Sequence, residues 1–245
     1  MPSSPSRQAG EPRRAAQERR QTLTREEIVD AAVALVDEQG VTALTMRSLA
    51  GRLDANTASI YWHVGGRDEL LGMASAVVLS RVRWPDDQAD WRDTLSAIAR
   101  AFRGQLLDHP HFATLMVQSL TLNATSIDLV ERVVATLYGA GLRDAQLRHS
   151  YNAYIGYVVG YTVIELGPLD AEDRGRWAEQ AEAQLTGDGA RRHPVLAGHR
   201  AEFENAAFAV RWPSGSHQPM DDSFWAGLDA LLCGFAASLA PTSRG

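Results

Sequence analysis

Apolar residues recur at helical spacing along nearly the whole chain. Ile28, Ala31, Ala32, Leu35 and Val36 form one face between a capping box, Thr24 with Glu27, and the stop at Gly40. Thr45 then caps a short helix carrying Met46, Leu49, Ala50 and Leu53. Asp54-Ala55-Asn56 makes a tight connection, and Asn56 caps a second short helix from Thr57 to His63. Beyond Gly65-Gly66, the stretch from Asp68 to Arg83 predicts a fourth helix through Leu70, Leu71, Met73, Ala74, Val77 and Val78, before Pro85. The remainder predicts helices near 91–108, 112–120, 125–139, 144–166, 171–185, 197–208 and 222–240, with a loop over 209–221. The separators include Gly139-Ala140-Gly141, Gly167-Pro168, Gly187-Asp188-Gly189 and Pro213-Ser214-Gly215. No strand alternation and no fixed-period repeat interrupts this pattern, so the fold class is all-α.

Three parts follow: a flexible Arg-rich arm (1–21), a helix-turn-helix unit (22–70) and a helical C-terminal domain (71–245). Two short helices joined by three residues and braced by a longer one have the proportions of a DNA reader. On the second short helix, Ile60 and Val64 face inward, while Ala58 and Trp62 point away and Ser59 and Tyr61 lie on the flanks. The hydroxyls of Thr57, Ser59 and Tyr61 suit base edges or phosphates, and Ala58 suits a thymine methyl. Trp62 offers apolar contact and an indole donor, while His63 and Arg67 can reach phosphates. The bland alternative is a helical hairpin inside a core, which leaves an outward Tyr and Trp unexplained.

The stretch LTMRSLAGRLDANTASIYWHVGGRDELL resembles the DNA-binding domain of TetR-type transcriptional regulators. More loosely, WRDTLSAIARAFRGQLLDHP, RRHPVLAGHRAEF and FWAGLDALLCGFAASL resemble the ligand-binding and dimerisation domain of the tetracycline-repressor branch. The resemblance implies DNA contacts at Arg47, Thr57, Ala58, Ser59, Tyr61, Trp62, His63 and Arg67. It also implies a homodimer on a palindromic operator, repression, and release by a small molecule. Four positions depart from the pattern: Asp54 stands where the turn usually has Gly, and Gly65-Gly66 replaces a more polar pair. Met116 falls where a metal-chelating histidine is usual, although Glu165 lies near an acidic member of that site. Magnesium-tetracycline is therefore not the expected effector, and a hydrophobic or aromatic molecule is.

Tyr154, Tyr157, Tyr161 and Glu165 recur on one side of the 144–166 helix. With His109, Phe112 and Met116 they are the candidate pocket residues. Gly156 and Gly160, with Phe224, Leu228, Leu231, Leu232 and Phe235 on the last helix, predict a four-helix dimer interface. The alternative from another class is a metal-dependent hydrolase built on His109, His111 and Glu165. Against it, the sequence has no HExxH, no GxSxG and no Gly-rich phosphate loop. No metal site and no cofactor is expected.

Charge refines this picture. The 245 residues carry a formal charge of −6, with 24 basic side chains that are all arginine. Residues 1–67 sum to +1 and 68–245 to −7, while the arm alone is +3 and residues 22–67 are −2. A reader with this balance depends on its arm, for phosphate or minor-groove contact, and on a few placed arginines. One cysteine, Cys233, builds no disulfide framework, and its surroundings suggest a buried small hydrophobe. The uncharged run His149–Ile164 is 16 residues with four tyrosines, short of the roughly 18–20 apolar residues of a membrane span. No targeting segment is read, and a cytoplasmic location without a membrane partner is expected.

Overall fold

The computed structural model describes residues 23–115, 124–166, 179–180, 182–203 and 220–239, in which every regular element is a helix and no strand occurs among the described residues. The arm, Met116, and parts of the expected helices 112–120, 171–185 and 197–208 and of the 209–221 loop lie outside them. Helix α1 (Arg25–Gln39) starts as its sequence dictates: the Thr24 backbone N–H donates to Glu27 Oε2 at 2.8 Å, and the Glu27 N–H donates to Thr24 Oγ1 at 3.1 Å. A one-turn 3₁₀ segment, Val41–Ala43, follows. Helix α2 (Met46–Arg52) has a second reciprocal cap between Thr45 and Ser48, and α3 (Thr57–His63) is capped by Asn56 Oδ1, which accepts from the Ala58 N–H at 2.9 Å. Between α2 and α3, Asp54 adopts φ 48°, the left-handed conformation in which glycine is usual.

Helix α4 (Arg67–Ser80) packs along α1, and α5 (Trp91–Asp108) opens the C-terminal part. Then come α6 (Ala124–Gly139), α7 (Asp144–Leu166), three short helices α8 (Gly187–Arg192), α9 (Pro194–Gly198) and α10 (Arg200–Phe203), and the final α11 (Asp221–Leu239). The long helices sit within a few residues of their predicted bounds. The 187–203 region differs: Gly187-Asp188-Gly189 opens α8 instead of separating helices. The carbonyls of Ala183 and Gln184 pass so close to Gly189 that no side chain fits there.

One core cluster runs through both parts. Ile28, Ala32, Val36, Leu49, Ile60 and Leu70 fill the N-terminal unit, and Leu95, Ile98, Phe102, Leu106, Leu137, Val158, Phe224 and Leu232 fill the bundle. Each buried aliphatic side chain contributes about 1.5–3 kcal/mol of burial. Phe112 in the 3₁₀ turn Pro110–Phe112 is fully buried where α5 meets the N-terminal unit.

Candidate nucleic-acid interface and sensor core

Helix α3 has two unlike sides. Ile60 and the following Val64 are 0% and 2% exposed, which fixes the helix on α2 and the core. Opposite them, Trp62 is 84% and Tyr61 53% exposed, and Ala58 is bare as well. Thr57, Ser59 and His63 are half-buried on the flanks, and the His63 ring meets the Trp62 edge at a centroid distance of 5.1 Å. Local packing thus presents the outer residues of the second short helix together on one exposed side.

The charges around α3 are sorted by ion pairs. Arg52 makes a two-pronged contact with Glu38, at 2.7 and 2.6 Å, and that bond holds the Glu38 carboxyl below its ordinary pKa. Arg25 pairs with Glu69 at 3.0 Å, while the other Glu69 oxygen accepts the Gly65 N–H at 2.9 Å. Arg47 is exposed on α2 and has no ion-pair partner among the described residues. Arg67, placed by the resemblance among the DNA contacts, is half-buried and turned inward: its Nε donates to the Leu44 carbonyl at 2.7 Å and its Nη2 to the Val41 carbonyl at 2.8 Å. It braces the loop before α2 against the start of α4.

Toward the C-terminal part, the aromatic stripe of α7 divides. Tyr154 is 1% exposed and its hydroxyl donates to the Leu95 carbonyl at 2.7 Å; burial pushes its pKa up. Tyr154 and Phe112 are therefore packed into the hydrophobic core of the single chain. Tyr157 and Tyr161 gather with Phe224, their ring centroids 5.2–5.6 Å apart, and their hydroxyls donate to the Phe224 and Met220 carbonyls at 2.7 and 3.3 Å. Burial, with the neighbouring Tyr161, pushes the Tyr157 phenol up to about 12. Gly227 permits this arrangement, because a side chain there would overlap the Tyr157 hydroxyl.

Glu165, at the end of the stripe, has a partner that sequence spacing did not reveal. Arg103 of α5 grips it with Nε to Oε2 at 3.0 Å and Nη2 to Oε1 at 2.8 Å, and also donates from Nη1 to Asp221 Oδ1 at 2.5 Å. The Glu165 Oε1 accepts the Met220 N–H as well, so it holds the entry to α11. Burial opposes the charge on Arg103, but its bonds to Glu165 and Asp221 outweigh it and hold its pKa above the ordinary value.

His109 goes elsewhere. It ends α5 and its Nδ1 lies 2.8 Å from Asp37 Oδ2 on α1, while a methyl group at Gly40 would meet the His111 ring at 3.7 Å. The His-Pro-His motif thus packs on the end of α1, and neither histidine joins Glu165. No group of three His, Cys, Asp or Glu able to hold a metal occurs among the described residues.

The expected interface residues divide between the chain's own core and its surface. Phe224, Leu228, Leu232 and Phe235 are at most 7% exposed within the single chain, packed on α7, because the apolar stripe of α11 serves its own core; Leu231 is half-buried. The free side of α11 carries Ala226, Ala230, Cys233 and Ala237. Cys233 is exposed there, not buried as its surroundings suggest. On α7, Gly156 is exposed and Gly160 half-buried, with nothing within 4 Å of where a Cβ would stand. No helix among the described residues is long and apolar enough to cross a membrane.

Comparison with known proteins supplies the family. Residues 28–73 match the family described as bacterial regulatory proteins, tetR family, and residues 84–239 match the tetracyclin repressor-like C-terminal domain. The chain belongs to the TetR family. An HTH-type transcriptional regulator of Saccharopolyspora erythraea is 38% identical over 144 residues, covering 58% of this chain and 61% of that protein. The HTH-type transcriptional repressor DrrR1 of Streptomyces coeruleorubidus is 33% identical over 159 residues, covering 62% and 57%. The chain spans about three fifths of the length of these two relatives. Among solved structures, the Streptomyces coelicolor TetR family protein ActR in complex with actinorhodin superposes with a TM-score of 0.71 at 26% identity, covering 91% of this chain and 99% of ActR. The N-terminal family model thus falls on the helix-turn-helix unit and the C-terminal one on the helices from α5 to α11, and the hydrolase alternative, which neither model supports, is set aside.

Proposed function

We propose that this TetR-family protein represses transcription as a homodimer on a palindromic operator and leaves the DNA when an aromatic small molecule enters its C-terminal domain. One observation carries the DNA part: the outer side of α3 exposes Tyr61 and Trp62 while its inner side is sealed. Each copy inserts α3 into the major groove of one half-site, with half-sites one helical turn or more apart. Thr57, Ala58, Ser59, Tyr61 and Trp62 read or line the groove, and Arg47 and His63 take phosphates. Arg67 acts as a brace behind them, and the arm at 1–21 adds phosphate or minor-groove contact. Such a protein acts in the cytoplasm, where its DNA lies.

The small outward residues of α7 and α11, from Gly156 to Ala226, Ala230 and Ala237, favour a close helix seam between two copies. The effector class rests on the ring cluster of Tyr157, Tyr161 and Phe224 and on the likeness to ActR, solved with actinorhodin. Footprinting of the DNA upstream of the gene tests the reading. The double variant Tyr61→Ala, Arg47→Ala should lose the footprint and still sediment as a dimer. An unchanged footprint rejects the assignment of α3.

A further inference from the structure

We propose that the effector of this protein carries an acid group, and that Arg103 receives it by releasing Asp221. The inference rests on the effector-responsive reading above and names the chemistry of that same site. Arg103 has a side chain only 4% exposed, deep for a guanidinium. Three of its five N–H donors have acceptors: two go to Glu165 and one to Asp221. The other two, one on each terminal nitrogen, have no acceptor among the described residues. A buried guanidinium with spare donors is under-satisfied, and an oxygen-rich anion is the ligand whose geometry matches its fork.

The two carboxylates on Arg103 are not equivalent. Glu165 is 1% exposed, makes the two-pronged contact and also accepts the Met220 N–H, so it is fixed. Asp221 is 58% exposed and touches Arg103 through a single bond, so its hydration is largely intact and it can turn to solvent at small cost. An incoming carboxylate that takes its place leaves the local charge unchanged. Adding a second anion beside Asp221 and the exposed Asp222 would not.

The surroundings suit an aromatic body behind the acid. The Phe224 ring lies 4.8 Å from the Arg103 guanidinium carbon, and Tyr157 and Tyr161 pack around Phe224. Trp225 continues this surface outward, with exposed Arg100 stacked on it at 4.3 Å, three residues before Arg103 on the same side of α5. The positive charges are therefore arranged from the surface inward.

The test uses the full-length protein with 9,10-anthraquinone-2-carboxylate and its neutral carboxamide, titrated by calorimetry, after operator binding has been measured without either. The carboxylate should bind the wild type at least tenfold more tightly than the amide. Asp221→Ala should strengthen the carboxylate threefold or more and leave the amide unchanged. Arg103→Gln should bring the two probes level, and Arg103→Lys, which keeps the charge, should retain a preference. Equal affinities in the wild type, a preference that survives Arg103→Gln, or binding of neither probe each overturns the proposal. Loss of operator binding by the untreated wild type overturns the regulator reading instead, whatever the probes do.

Discussion

The Asp37 carboxylate and the His109 imidazole meet at 2.8 Å, and this contact joins α1 of the reading unit to the last turn of α5 in the sensor. The second Asp37 oxygen is buried without a hydrogen-bond partner, so the carboxylate depends on His109. His109→Ala should destabilise the protein by about 1–3 kcal/mol, the range for a buried polar atom that loses its partner. A double-mutant cycle with Asp37→Ala in urea should return a coupling of about 0.5–1.5 kcal/mol. Additive single effects would show that the pair is incidental.

The left-handed Asp54 stores strain in the turn between α2 and α3. Asp54→Gly should be neutral to about 1 kcal/mol stabilising, since relief of the strain offsets the entropy of glycine. Asp54→Val should cost more than about 1 kcal/mol, because a β-branched residue resists that conformation. Thermal melts of the two variants should move in opposite directions, or only the valine variant should move.

Ion pairing near α3 predicts which arginines the DNA meets. Removing Arg47 should reduce the steepness of log K against log salt by about 1, the signature of one lost phosphate contact. Arg52, already held by Glu38, should leave the slope unchanged when replaced by alanine. Equal losses from both would mean that the Glu38 pair opens on DNA.

Breaking the buried pair in the sensor should be costly. Glu165→Ala leaves Arg103 with Asp221 alone and should cost about 3 kcal/mol, the lower end for a buried charge stripped of a partner. Glu165→Gln keeps an acceptor and should cost less. Urea midpoints at neutral pH give the order.

Alkaline conditions act on Tyr157. Its phenol ionises at a higher pH in the folded chain, about 12, than its ordinary value of 10.0. Its contribution to stability is complete below pH 10 and is lost as pH rises toward 12. The urea midpoint should fall across that window, and Tyr157→Phe should make the fall shallower.

The parts of this molecule that were legible in sequence are those fixed by near neighbours. The caps at Thr24, Thr45 and Asn56, the turn at Asp54 and the two-sided α3 all follow from residues within one or two turns of each other. Pairs made across the fold were not legible: Arg103 and Glu165 are 62 residues apart, and Asp37 and His109 are 72 apart. The stripe of Phe224, Leu228, Leu232 and Phe235 announced burial but not the partner, and here the partner is the chain itself. Arg67 shows the same limit, since nothing local tells whether an arginine beside a reading helix points out to phosphate or back to two carbonyls.

The Asp37–His109 contact also bears on how portable the reading unit is. A chimera cut in the connection between α4 and α5 would transfer α1 intact in sequence and still remove the imidazole that its carboxylate needs. Grafting this head onto a foreign sensor therefore requires either a donor at the matching point of the new scaffold or an apolar replacement at position 37. The electrical border between the two halves lies inside the first helix, well ahead of the border drawn by the chain.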